Sequence, residues 1–184
     1  MEDLLEAVKR LPAACMLEKR WQSNGYSARH ARDGGILRAM SQQNVEIVRR
    51  IYAEGPFRLA LAPDEERALI DRLFRDYYDE HFEIRMPADY PEGEQVLRGR
   101  EGLAQLLAML RDTWTEFRFA PERFIDAGDR VAVFVRVLAE GGASGVATER
   151  ETAHIWTVRD GRLSSIQIYR DRDQAREAVG LRDD

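Results

Sequence analysis

His154-Ile155-Trp156-Thr157-Val158-Arg159-Asp160-Gly161-Arg162-Leu163-Ser164-Ser165-Ile166-Gln167-Ile168-Tyr169 is the stretch that decides the architecture. Asp160-Gly161 stands between two runs rich in β-branched and aromatic residues. Such a pair supplies the φ > 0 positions of a two-residue hairpin turn. The turn pairs Arg159 with Arg162, and pairing fixes register. Counting back by rungs puts Val158 opposite Leu163, Trp156 opposite Ser165, His154 opposite Gln167 and Thr152 opposite Tyr169, all on one side of the sheet. Ala153, Ile155, Thr157, Ser164, Ile166 and Ile168 fall on the other side. The first side mixes rings with hydrogen-bonding groups. A dry core seldom takes His, Gln, Ser and Tyr together, because each buried polar group needs a partner, whereas a lined pocket does. The second side is aliphatic and suits a core or a partner subunit.

Working outward, two further strands at 117–125 and 131–138 flank Ala127-Gly128-Asp129, and a looser turn from Gly141-Gly142 to Gly145 leads into the strand at 148–158. Upstream the period changes to that of helices. Leu103, Leu106, Leu107, Leu110, Trp114 and Phe117 recur on one helical face. Pro63 followed by Asp64-Glu65-Glu66 opens a second helix, with a stripe of Leu69, Ile70, Leu73, Phe74 and Tyr77. Ser41 reads as the N-cap of a first helix carrying Val45, Val48, Ile51 and Tyr52 and stopped by Gly55-Pro56. Short strands are expected at 82–86 and 95–97 around a loop at 87–93, and a C-terminal helix at 173–179 closed by Gly180. Helices followed by an antiparallel meander give an α+β domain. A curved sheet wrapped over the third helix leaves a pocket at its open end.

The expected domain spans 41–184. Residues 1–40 form an extension, with Leu4, Leu5, Val8 and Leu11 at helical spacing, then Pro12 and loop-like Ser23-Asn24-Gly25 and Asp33-Gly34-Gly35. Met40 resembles a second start.

Of 184 residues, 44% are hydrophobic, enough for a core; the net charge is −5 and the pI about 5.4. Acidic excess argues against nucleic acid, which calls for a basic face. Cys15 alone closes no disulfide, and no Cys/His cluster suggests a metal. No apolar run reaches the ~20 residues of a membrane span, and no secretory leader is visible, so a cytoplasmic protein is expected.

Candidate site residues follow from the hairpin. His154 reads as a general acid/base or an orienting donor, because its pKa lies near neutrality, or as a hydrogen-bonded histidine on a solvated face. Tyr169 and Asp171 read as a phenol and carboxylate able to polarise a carbonyl and move a proton, or as a sheet aromatic followed by a helix N-cap, the favoured role for Asp171. Trp156 and Trp114 are walls for a ligand, with the core stripe of the third helix as the stronger role for Trp114. Phe134 and Arg136 share a strand face, and Arg136 holds either an anionic ligand or a structural carboxylate. Gln167 joins the His154 side. Asp89 and Tyr90 stand at the pocket mouth or simply build a turn. His81 and Glu83 lack a third ligand for a metal.

Several stretches together resemble the SnoaL-like branch of the nuclear transport factor 2-like superfamily: 40–50, Asp89-Tyr90-Pro91-Glu92-Gly93, Arg98-Gly99-Arg100-Glu101-Gly102, Phe124-Ile125-Asp126-Ala127-Gly128-Asp129, 154–161 and Tyr169-Arg170-Asp171-Arg172. The resemblance runs from about Ser41 to the C-terminus. It implies a cone-shaped α+β roll with an internal pocket, often a homodimer formed through the sheet. Among its relatives are polyketide cyclases, ketosteroid isomerases, epoxide hydrolases, dehydratases and non-catalytic members, the enzymes mostly working without metal or cofactor. The resemblance carries over no catalytic residue; taken with the hairpin residues, the expectation is a cofactor-independent isomerase, cyclase or hydrolase acting on a small, mostly apolar molecule, with His154 as acid/base and Tyr169 as donor to a developing oxyanion, or alternatively a binding module or a dimer with a vestigial pocket. Two departures stand out: a long segment from Gly55 to Pro63, and Ser165-Ile166-Gln167-Ile168-Tyr169 in place of the cyclases' aspartate-histidine pattern.

Overall fold

The computed structural model describes residues 33–54, 61–87, 95–142 and 145–180, with side chains from Met40 onward. Among the described residues, four helices and six strands follow in the order α1 (Asp33–Glu54), α2 (Pro63–Asp76), β1 (Tyr78–Arg85), β2 (Val96–Arg98), α3 (Gly99–Thr113), β3 (Trp114–Ala127), β4 (Arg130–Gly141), β5 (Ala147–Arg159), β6 (Arg162–Tyr169) and α4 (Arg172–Ala178). The strands make one curved mixed sheet, β2-β1-β6-β5-β4-β3, in which only the β1–β6 pair is parallel. The α+β class and its wrapped sheet are as expected.

Helix α1 covers β3 and β4, while α3 lies on β1, β2 and β3 and α2 packs on α3 and β1. Their apolar stripes and the inner face of the sheet form one core. Val48, Ile51, Leu73, Leu103 and Leu107 meet Val131, Val133, Val135, Trp156 and Leu163, all exposed by 2% or less. Gly102 is needed where α3 crosses β2, because a Cβ there would lie 2.6 Å from the Leu97 carbonyl carbon. At α2, Pro63 occupies the first turn and the Glu65 carboxylate accepts from the Ala62 N–H at 3.0 Å, as the acidic start suggests. On the other side of the sheet, α4 covers a small second cluster of Ala132, Phe134, Ala153 and Ile155 with Ala175 and Val179.

Three expectations are corrected. Helix α1 does not start at a Ser41 cap; it is already helical at Asp33 and runs through Ser41. Helix α3 stops at Thr113, and Trp114 is its C-cap in extended conformation and the first residue of β3. The helical spacing of Trp114 and Phe117 continues by coincidence into a strand. The last hairpin turns at Asp160-Gly161 with both φ positive, at 49° and 74°, and pairs Arg159 with Arg162 and Val158 with Leu163. One residue later a bulge intervenes: Thr157 pairs with Ser165, and Ser164 is the extra residue, its hydroxyl donating to the Thr157 carbonyl at 3.2 Å. Beyond it the register is Trp156 with Ile166, Ile155 with Gln167, His154 with Ile168 and Ala153 with Tyr169. A one-residue slip moves every later side chain to the other face. Ile166 and Ile168 therefore line the inner face, and Gln167 and Tyr169 the outer one.

Candidate functional site

His154 sits mid-strand on β5, opposite Val133 of β4 and Ile168 of β6, on the inner face. It is 2% exposed. Its Nδ1 is 2.7 Å from the Tyr52 hydroxyl, and the same oxygen accepts from Trp156 Nε1 at 3.2 Å. Tyr52 comes from the end of α1, the helix laid across β3 and β4, and Asn44 anchors that helix by donating to the Gly128 carbonyl at 2.9 Å. Aromatic rings surround the triad. Phe119 stands edge-to-face with His154 at 4.9 Å, Phe124 meets Tyr52 edge-on at 5.8 Å, and Trp156 stacks towards Phe82 and Tyr78 at 6.1 and 6.4 Å. Phe119 and Phe124 both face inward although five residues apart, because β3 bulges between Pro121 and Arg123.

Burial alone pushes the His154 imidazole down to about 3, so the ring is neutral through the physiological range. Burial likewise raises the Tyr52 phenol well above its ordinary value, against the smaller opposite pull of the Trp156 hydrogen bond, and raises Tyr78. The site is thus a set of uncharged donors and acceptors. No described carboxylate hydrogen-bonds His154. Nε2 of His154 has no protein partner among the described residues, and it is not among their sealed, unpartnered polar atoms, which are Glu54 Oε2 and Arg172 Nε.

His154 and Trp156 are the expected site residues that come together. Tyr169 and Gln167 lie on the outer face; Gln167 Nε2 is 3.5 Å from the Arg85 carbonyl oxygen, and Tyr169 packs against the α4 cluster. Asp171 is the N-cap of α4, accepting from the Asp173 N–H at 2.8 Å. Phe134 is on the outer face beneath the guanidiniums of Arg172 and Arg176, at 5.3 and 5.1 Å. Arg136 is on the outer face, paired with Glu122 and, at 3.2 Å, with Glu149. Trp114 is a half-buried strand residue 6.4 Å from Phe117. Asp89 and Tyr90 lie outside the described residues. Tyr52, Phe119 and Phe124 were missed. A hollow of about 480 Å³ between α2 and α3, lined by Ile70, Ala104 and the Arg100–Asp71 and Arg111–Glu66 ion pairs, touches none of the expected site residues.

A curved mixed sheet covered by helices is the arrangement expected from the resemblance, and residues 66–166 match the SnoaL-like domain family. The chain belongs to that family. No curated protein sequence matches it. Solved structures share the fold. A SnoaL-like protein of Jannaschia sp. CCS1 is 20% identical, with 77% of this chain and 94% of that one covered at a TM-score of 0.54. A nuclear transport factor 2-like protein of Burkholderia pseudomallei K96243 is 17% identical over 75% and 98% of the chains, also at 0.54. A phenazine biosynthesis-related protein of Pseudomonas aeruginosa is 13% identical over 82% and 94%, again at 0.54. At these identities the likeness establishes the SnoaL-like fold and not a reaction. Among the described residues no helix is long and apolar enough to cross a membrane, and no three His, Cys, Asp or Glu side chains gather as metal ligands.

Proposed function

We propose that this SnoaL-like chain binds a mostly apolar small molecule against the inner face of its sheet. His154 meets the molecule's oxygen, in a conversion of the isomerase, cyclase or hydrolase type. The observation that carries the reading is a histidine 2% exposed, in a wall of aromatic rings, with one ring nitrogen tied and the other unpartnered. A polar group placed in an apolar wall costs stability unless it is hydrogen-bonded, so a half-satisfied imidazole there supports a ligand that completes it. The test is a thermal-shift screen of the purified chain against ring-bearing ketones, epoxides and lactones. A ligand at a hundredfold excess over its Kd stabilises the fold by about 2.7 kcal/mol. The shift is expected in the native chain and absent in His154→Phe; a shift that survives this substitution places the ligand elsewhere.

A second reading, a binding module without turnover, is favoured by one observation: Tyr169 and Asp171 stand apart from His154, and among the described residues no carboxylate hydrogen-bonds the imidazole. Turnover of a compound that shifts the melting temperature separates the two. The homodimer belongs to the same proposal and rests on the family resemblance; sedimentation as a single 21.2 kDa species would remove it.

A further inference from the structure

The protons around Tyr52 can be counted. Trp156 Nε1–H is a donor only, so at 3.2 Å the Tyr52 oxygen must accept from it. The phenol then has one hydrogen of its own to place. Nδ1 of His154 stands 2.7 Å away, and no other acceptor for that hydrogen appears among the described residues. If Nδ1 carried a proton, two N–H groups would point at one phenol oxygen and the phenol hydrogen would have no acceptor. A buried donor left unmade costs more than the net gain of a typical hydrogen bond, so this arrangement loses. With Nδ1 accepting, the single proton of the neutral imidazole is on Nε2.

Resting on the small-molecule reading above, we propose that Trp156 and Tyr52 lock His154 as the Nε2–H tautomer, making it a fixed hydrogen-bond donor for a neutral oxygen, such as a ketone, lactone or ether, on an apolar ring-bearing molecule. Tyr52 and Trp156 are positioning residues in this arrangement. His154 does not act as a base, because its lone pair on Nδ1 is occupied by the phenol. It does not act as an acid either. Releasing the Nε2 proton leaves an imidazolate unless Tyr52 passes its proton to Nδ1, and that leaves a phenolate in a site whose burial already disfavours one. The ring stabilises charge building on a ligand oxygen by donating to it, as a preorganised dipole. Arg49, its guanidinium 4.8 Å from the Phe124 ring centroid, is the cation seen packed on this cluster among the described residues and the group that would answer for an anion.

The test has two arms. The full chain, labelled with ¹⁵N-histidine, gives long-range ¹H–¹⁵N spectra in which the two neutral tautomers and the imidazolium are distinct; His154→Gln assigns the signal against His30 and His81. The expected result is Nε2–H at neutral pH, with a tautomer mixture in Tyr52→Phe. An Nδ1–H ring or an imidazolium overturns the lock, and the native spectrum decides this even if Tyr52→Phe fails to fold. The second arm compares 2-acetylnaphthalene with 2-naphthoate, one ring body bearing a neutral or an anionic oxygen. The ketone is expected to bind at least tenfold tighter, His154→Gln to keep most of that affinity because its amide N–H reaches the place of Nε2, and His154→Asn to lose it. Preference for the carboxylate overturns the donor role and shifts recognition to Arg49. If neither probe binds while the ring is Nε2–H, the lock stands and the small-molecule reading falls.

Discussion

The two faces of the β4–β5 ladder are made by alternate residues of the same two strands and handle polar groups in opposite ways. Inside, Val131, Val133, Val135, His154 and Trp156 are exposed by 2% or less, and His154 Nδ1 and Trp156 Nε1 meet, uncharged, at one phenol oxygen. Outside, Arg136 pairs with Glu122 and Glu149, and Arg172 pairs with Glu122 and Glu151 at 2.7 and 3.3 Å, across a surface open to water at its rim. Burial pulls the Glu122 carboxyl upward, but Arg172 and Arg136 together hold it below its usual range. The inner face excludes charge and the outer face neutralises it. Polar chemistry is cheap to alter outside and expensive to alter inside.

That contrast breaks first at Trp156. Trp156→Ala removes a ring packed against Tyr78 and Phe82 and should cost about 3–5 kcal/mol in urea unfolding. A loss below about 1 kcal/mol would mean that the inner face is loosely packed. Next comes acid. His154 is depressed in the folded state, so its contribution is fully present above the unfolded value near 6.5 and is lost as pH falls towards about 3. The slope should approach about 1.4 kcal/mol per pH unit over that window, and His154→Gln should flatten it. Unchanged slopes in the two proteins would refute the burial of this ring. Tyr52→Phe strands two nitrogens and should cost about 1–3 kcal/mol by the same unfolding measurement. On the outer face, Arg136→Ala breaks exposed pairs and should cost under about 1 kcal/mol, less in high salt. Smallest of all, Tyr169→Phe should leave both melting temperature and ligand shifts unchanged; a lost ligand shift would return Tyr169 to the site.

The α+β class, the helix stripes and the Asp160-Gly161 turn were legible because each rests on local periodicity or turn chemistry. The start of α1 was not, because Asp33-Gly34-Gly35 has the composition of a loop, and composition does not record that a helix continues through it. The end of α3 was hidden for the opposite reason: Trp114 and Phe117 keep helical spacing inside a strand. At the site, His154 and Trp156 were readable from strand alternation, but Tyr52 lies 102 and 104 residues from them in sequence. On its own helix Tyr52 looks like one more core aromatic. The bulge left a trace that could have been used. Leu163, Ile166 and Ile168 are the inward residues of β6, and the interval of three in that series cannot occur in an unbroken strand.

Ser164 can also be viewed as punctuation. It adds a letter to β6 without adding a rung to the sheet, so the strand is read in one phase before it and in the other after it. A mutational scan across the hairpin should show intolerance at Leu163, a pause of two tolerant positions, then intolerance at Ile166 and Ile168. Deleting Ser164 shortens the pause and leaves the later phase intact, while inserting a residue after Ser165 would turn the isoleucines to the outer face. In this strand the spacing between hydrophobic residues carries as much instruction as the residues themselves.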